Sequence, residues 1–215
     1  MDLVQALLSF AVVAGLLTVV PGIDTALVLR SSISKSRSFA FATALGINTG
    51  TMVWGIAAAV GVSALVAASE LAYRALTLAG AAYMVWLGAS LLWKSRGTAS
   101  AAGLADLSSP IPPGRQLFQG WLTGTGTNLL NPKVGVFYIA TIPQFIPDGT
   151  PPLLMGVLLA GVHCALGLAW STFLIYGVGL ASRWLKGARS VKIIDRITGT
   201  VLVGFGLRLV LEPRH

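Results

Sequence analysis

Two short segments concentrate the residues able to do chemistry in a chain otherwise built of long apolar runs. They are Pro21-Gly22-Ile23-Asp24-Thr25 and Asn131-Pro132-Lys133. Proline lacks an N–H and clashes with the preceding turn, and the glycine beside it loosens the backbone further. The first run should therefore kink or unwind at 21–22. Carbonyls freed at membrane depth are tolerated only where they are buried in protein or line a wet cavity. An aspartate at the bilayer centre costs roughly 2.5–3.5 kcal/mol on insertion scales, which points to use. The bland alternative puts Asp24 at the cytoplasmic end of a long tilted helix, meeting Arg30. Six residues is too far for a good helical pair.

Lys133 has apolar residues on both sides, from Leu129 and Leu130 to the stretch after Val134. A lysine so placed needs a carboxylate, backbone carbonyls or water. Asp24 is the only acidic residue in the apolar interior, so the two breaks are expected to face each other and Asp24 and Lys133 to share a site. The alternative is a Lys133 that snorkels to the nearer surface on its long stem. Pro21, Gly22, Thr25, Asn131 and Pro132 shape the two breaks and are taken into the expected substrate and proton site. Asn48 is included with them, as either a substrate contact or an interhelical hydrogen bond.

The remaining polar positions speak less clearly. Asn48 lies between Gly46 and Gly50, and Gly120 and Gly124 repeat that spacing, which lets helices approach closely, so packing is the expected role of these four glycines. His163 has the chemistry of a proton carrier, although a lone histidine on an apolar helix is more often a satisfied core residue. The single cysteine, Cys164, excludes an intrachain disulfide and any Cys-cluster metal site. Trp93 and Trp184, beside basic loops, suit interface anchors.

The elements that must position these residues are membrane helices. Hydrophobic residues make up 55% of the chain, charged ones 10%, and the mean hydropathy is +0.80, against about 25% charged residues in a soluble domain. The apolar runs are 3–29, 39–68, 71–93, 117–145, 153–180 and 193–211. Each reaches or exceeds the roughly 20 residues a spanning helix needs. The sixth is the weakest, because Asp195 and Arg196 shorten it. No run alternates with the period of a barrel strand. The expectation is an all-α integral membrane protein, a single domain over residues 1–215 with six transmembrane helices.

Eleven of the fifteen basic residues fall in three breaks: Arg30 to Arg37, Lys94 to Arg115, and Arg183 to Arg196. The positive-inside rule puts those breaks in the cytoplasm and both termini outside. The first twenty residues carry no Lys or Arg, unlike a signal peptide, and read as a retained helix. Residues 94–115 are rich in Ser, Gly, Ala and Pro and form the one long cytoplasmic loop. That loop divides the chain into three helices and three helices, which must enter the membrane from opposite sides. This is the topology of an inverted repeat, with an accident of helix number as the alternative. The formal net charge of +8 is spread over short loops rather than gathered on one face, so nucleic acid is not expected as a partner.

At these positions the chain resembles the LysE/RhtB family of amino-acid exporters. Val20-Pro21-Gly22-Ile23-Asp24-Thr25 is similar to the family's PGPD-type segment, with Ile23 in place of the second proline. Asn131-Pro132-Lys133, leading to Pro143-Gln144-Phe145, is similar to its NPK-type segment and following PQF. Gly46-Ile47-Asn48-Thr49-Gly50 and Tyr83-Met84-Val85-Trp86-Leu87-Gly88 match the family's second and third helices in order. The resemblance implies a non-enzymatic secondary exporter of an amino acid or related small solute in a bacterial inner membrane, driven by the proton gradient or membrane potential. No cofactor or metal is expected, and self-association is left open.

A relative exporting some other solute or a cation is the first alternative. A membrane-embedded enzyme is the second, disfavoured because no second intramembrane aspartate and no HExxH occurs. No GxxxxGK[ST] loop is present either, so ATP hydrolysis by this chain is not expected.

Overall fold

A computed structural model describes residues 2–68 and 115–177, together with scattered helical positions within 71–93 and 192–207. Most of the third and sixth expected helices, and the expected long loop as far as residue 114, lie outside the described residues. Among those that are described there are six α-helices, one 3-10 turn and no strand. Helix α1 spans Leu3–Val19, and Asp2 caps it by accepting the Gln5 N–H at 2.7 Å. Helix α2 spans Ile23–Ser34. The two are bent by 55° at the expected Pro21-Gly22 break and are together long and apolar enough to cross a membrane.

Helix α3 spans Arg37–Ala68. Helix α4, Gln116–Leu129, is separated from α5, Pro132–Thr141, by Leu130 and Asn131 alone. Asn131 caps α5 and Pro132 opens it, where a missing N–H costs no helical bond. The turn Ile142–Phe145 is wholly buried, and α6 runs from Pro152 to Tyr176. Arg37–Val62 and Pro152–Tyr176 are each long and apolar enough to cross a membrane unaided.

Helix α3 is the central element, and small residues set its approach to both neighbours. A Cβ on Gly46 would overlap the Trp121 carbonyl, one on Gly124 would overlap that of Thr43, and one on Gly50 would stand 2.6 Å from Asn128 Oδ1. Thr125 donates its hydroxyl hydrogen bond to Gly46 O at 3.1 Å across the same contact, and Trp121 Nε1 donates to Thr49 Oγ1. The expected packing role of Gly46, Gly50, Gly120 and Gly124 is what the structure has. Helices α3 and α6 cross through a reciprocal set, in which Gly55 meets Ala160 and Gly156, and Gly156 meets Ala59.

The described helices that leave the two breaks run in opposite directions. From the breaks, α2 leads toward a small apolar cluster of Val28, Ala40, Ala44, Leu174 and Ile175. Helix α5 leads instead toward a larger one that includes Phe10, Phe137, Phe145 and Leu159. Helix α3 passes from the small cluster to the large, and α6 passes back. Large apolar side chains such as Leu8, Val12, Val60, Phe118 and Leu122 point outward, while Thr43, Thr51, Asn128, Asn131 and His163 are buried. A water-soluble fold shows the reverse, and this chain is an all-α integral membrane protein.

Candidate functional site

Between the two apolar clusters lies a cavity of about 70 Å³, walled by both helix breaks, the middle of α3 and the C-terminal half of α6. A site of that size has room for several waters or a small polar solute.

Its chemistry begins with proline. In a continuous helix the N–H of residue 21 would bond the carbonyl of residue 17, and Pro21 has no N–H to give. The Lys133 ammonium takes that place, donating to Leu17 O at 3.1 Å and to Val20 O at 3.3 Å. Pro132 likewise leaves Asn128 O without its helical donor. That oxygen accepts the Asn131 N–H at 3.0 Å and Trp54 Nε1 at 3.4 Å. Each proline break thus receives a side-chain donor from another helix, Lys133 at the first and Trp54 at the second, and a buried backbone so satisfied can persist at membrane depth.

Asp24 sits in the first turn of α2, where the positive end of the helix dipole favours a carboxylate. Its Oδ2 accepts from Asn128 Nδ2 at 2.8 Å. Its Oδ1 is buried and has no hydrogen-bond partner among the described residues. Lys133 and Asn131 both lie within electrostatic reach of it. Lys133 occupies the equivalent place in the first turn of α5. The acid and the base share one cavity, and the hydrogen bonds that fix them run crosswise: the helix-one break holds the lysine, and Asn128, four residues before Pro132, holds the aspartate.

Of the residues expected from sequence, Gly22, Asp24, Thr25, Asn48, Asn131 and Lys133 all line this cavity, and Pro21 and Pro132 shape its walls through the backbone. Asn131 also has a structural duty, since its Oδ1 accepts the Lys133 N–H at 3.1 Å. His163 reaches the cavity edge with its ring stacked on Tyr138 and a 3.0 Å hydrogen bond between Nδ1 and the tyrosine hydroxyl. That arrangement is the satisfied core histidine of the bland reading. Cys164 donates its thiol to Asn48 O at 3.3 Å.

Sequence reasoning missed Asn128, Thr51 and Ser171. The signal for Asn128 was its place one helical turn before Pro132. For the other two it was periodicity: Thr51 follows Asn48 by three, and positions 163, 167, 170, 171 and 174 fall on one helical face.

The family described as LysE type translocator matches residues 15–213. The uncharacterized membrane protein YrhP of Bacillus subtilis is 30% identical over 97% of this chain and all of its own length. A leucine efflux protein of an Enterobacter species is 29% identical, over 94% of this chain and 93% of its own. A homoserine/homoserine lactone efflux protein of Salmonella typhimurium is also 29% identical, over 96% of each. No solved structure matches the chain.

Proposed function

The chain belongs to the LysE type translocators, which are transporters rather than enzymes, and from that premise we propose that it exports an amino acid or closely related small solute across the bacterial inner membrane. One observation carries the reading: the two helix breaks meet in a single cavity that holds one carboxylate and one ammonium, Asp24 and Lys133. An amino acid is a zwitterion, and a small cavity with one acid and one base suits it electrostatically. The efflux proteins named for leucine, threonine and homoserine support solutes of that class.

In this reading Asp24 Oδ1, the buried acceptor, takes the solute's ammonium group or a proton. Lys133 is the ligand for its carboxylate. Thr25, Asn48 and Asn131 supply neutral donors and acceptors around the solute, and Pro21, Gly22 and Pro132 keep the two backbones open. Alternation of Asp24 between proton and solute would couple export to the proton gradient. Orientation follows the basic loops, with both termini outside.

The test is uptake into everted membrane vesicles, the cytoplasmic face outward, of radiolabelled leucine, threonine and homoserine under an imposed proton gradient. Accumulation of at least one solute above vesicles lacking the protein, collapsing with a protonophore, is expected. No gradient-dependent accumulation from a wide amino-acid panel would overturn the reading.

A further inference from the structure

Leu17 O and Val20 O stand at the C-terminus of α1, the negative end of its dipole, and both are turned to the Lys133 ammonium. Asp24 acts on the same group from across the cavity. Two carbonyls at N–H···O distance and a nearby carboxylate recognise a primary ammonium as such, whether or not a lysine stem is attached to it. Gly22 lies beside the cradle, where a Cβ would stand in ordinary contact with Nζ at 3.7 Å. A solute carrying its own ammonium needs acceptors of the same kind, and two ammonium ions cannot occupy one cradle.

We propose that the C-terminal end of α1 at 17–20 is a primary-ammonium subsite, that Lys133 is its built-in occupant in the empty carrier, and that an arriving solute ammonium displaces it. Released from the carbonyls, the lysine is free to meet the solute's carboxylate. The empty carrier thereby avoids bare carbonyls in the membrane, and each solute bound exchanges one ammonium for another at constant charge. The place of this exchange in transport rests on the exporter reading. The subsite itself does not.

The test uses the full chain purified in detergent and a small amine with no carboxylate. Removal of the lysine amine in Lys133→Ala empties the cradle, so ethylammonium should raise the melting temperature of the variant saturably, by roughly 2–4 °C. It should leave the parent protein unmoved, because without a carboxylate it offers a displaced lysine no partner. Tetramethylammonium has the same charge and no N–H to donate, so it should do nothing to either. An equal response to both cations, no response in the variant, or the same rise in the parent overturns the proposal.

Should Lys133→Ala not survive extraction, the amines are added to the extraction buffer. Recovery of folded, monodisperse protein by ethylammonium and not by tetramethylammonium supports the subsite, and recovery by neither removes it. The two readings fail separately. A parent protein that exports amino acids beside a variant blind to ethylammonium loses the subsite alone. A variant that binds ethylammonium beside a parent that exports nothing keeps the subsite and loses the exporter.

Discussion

At the level of single residues, the two intramembrane charges differ in what they support. Lys133 supplies the donor that Pro21 withholds from Leu17 O and a second one to Val20 O, so Lys133→Met strips two buried carbonyls of a partner. Leaving such groups unsatisfied costs about 1–3 kcal/mol each. Asp24→Asn removes a charge but keeps an oxygen that can still accept from Asn128 Nδ2, a change nearer isosteric. Lys133→Met is therefore expected to lower the melting temperature in detergent by several degrees and Asp24→Asn by much less, while both abolish gradient-driven uptake. Equal destabilisation by the two would show that the carbonyl contacts contribute little. The charges themselves were legible in the sequence, as an acid and a base each close to a proline with apolar residues on both sides. Their partners were not. A backbone carbonyl has no letter of its own, and Asn128 became an Asp24 ligand only when two segments about a hundred residues apart were brought together.

Helices in a membrane gain nothing from hiding apolar faces from lipid, and their association rests on close backbone approach and interhelical hydrogen bonds. That is why the glycines of this chain sort into two kinds. Gly46 and Gly124 lie so close to opposing carbonyls that a methyl group forces the helices apart, whereas a Cβ on Gly126 or Gly161 meets nothing within 4 Å. Gly46→Ala and Gly124→Ala should each cost about 1–3 kcal/mol as overpacked contacts. Gly126→Ala and Gly161→Ala should be neutral or slightly stabilising, because alanine is the better helix former. Thermal unfolding of the four variants in one detergent decides it, and a fall in all four alike would mean that close approach is not what holds α3 against α4. The spacing Gly46–Gly50 and Gly120–Gly124 announced this contact in the sequence. The α3–α6 crossing went unread because its motif mixes glycine with alanine, Gly55 with Ala59 and Gly156 with Ala160, and alanines are too common in apolar runs to stand out. The breaks at Pro21 and Pro132 were the most legible elements of all, since proline acts on its own chain whatever surrounds it.

At the scale of the molecule, among the described residues, the decisive arrangement is a cavity holding Asp24 and Lys133 with an apolar cluster, or seal, at each end. The seal beside Arg30, Lys35 and Arg37 is thin: Val28, Ala40, Ala44, Leu174 and Ile175 are its buried members, with Leu29, Phe41, Ile47 and Trp170 partly buried against them. The opposite seal is thick, with Phe10, Phe137, Tyr138, Phe145, Met155 and Leu159 among its members. Opening either seal returns apolar surface to water at about 25 cal/mol per Å², so the thin one opens at lower cost. In the orientation proposed from the basic loops the thin seal faces the cytoplasm, the side from which the proposed exporter would load. Cysteines introduced in a Cys164→Ala background test orientation and loading together. With an impermeant thiol reagent, Asp148→Cys, exposed beyond the thick seal, should react in intact cells and Ser38→Cys should not, and everted vesicles should reverse the pattern. In the same vesicles Val28→Cys, at 1% exposure, should be protected at rest and react several-fold faster when a transported solute is added, while Ala14→Cys in the thick seal should change little. Labelling of Ser38→Cys from outside intact cells would invert the topology. Faster opening at Ala14 than at Val28 would leave the topology standing and assign loading to the other seal.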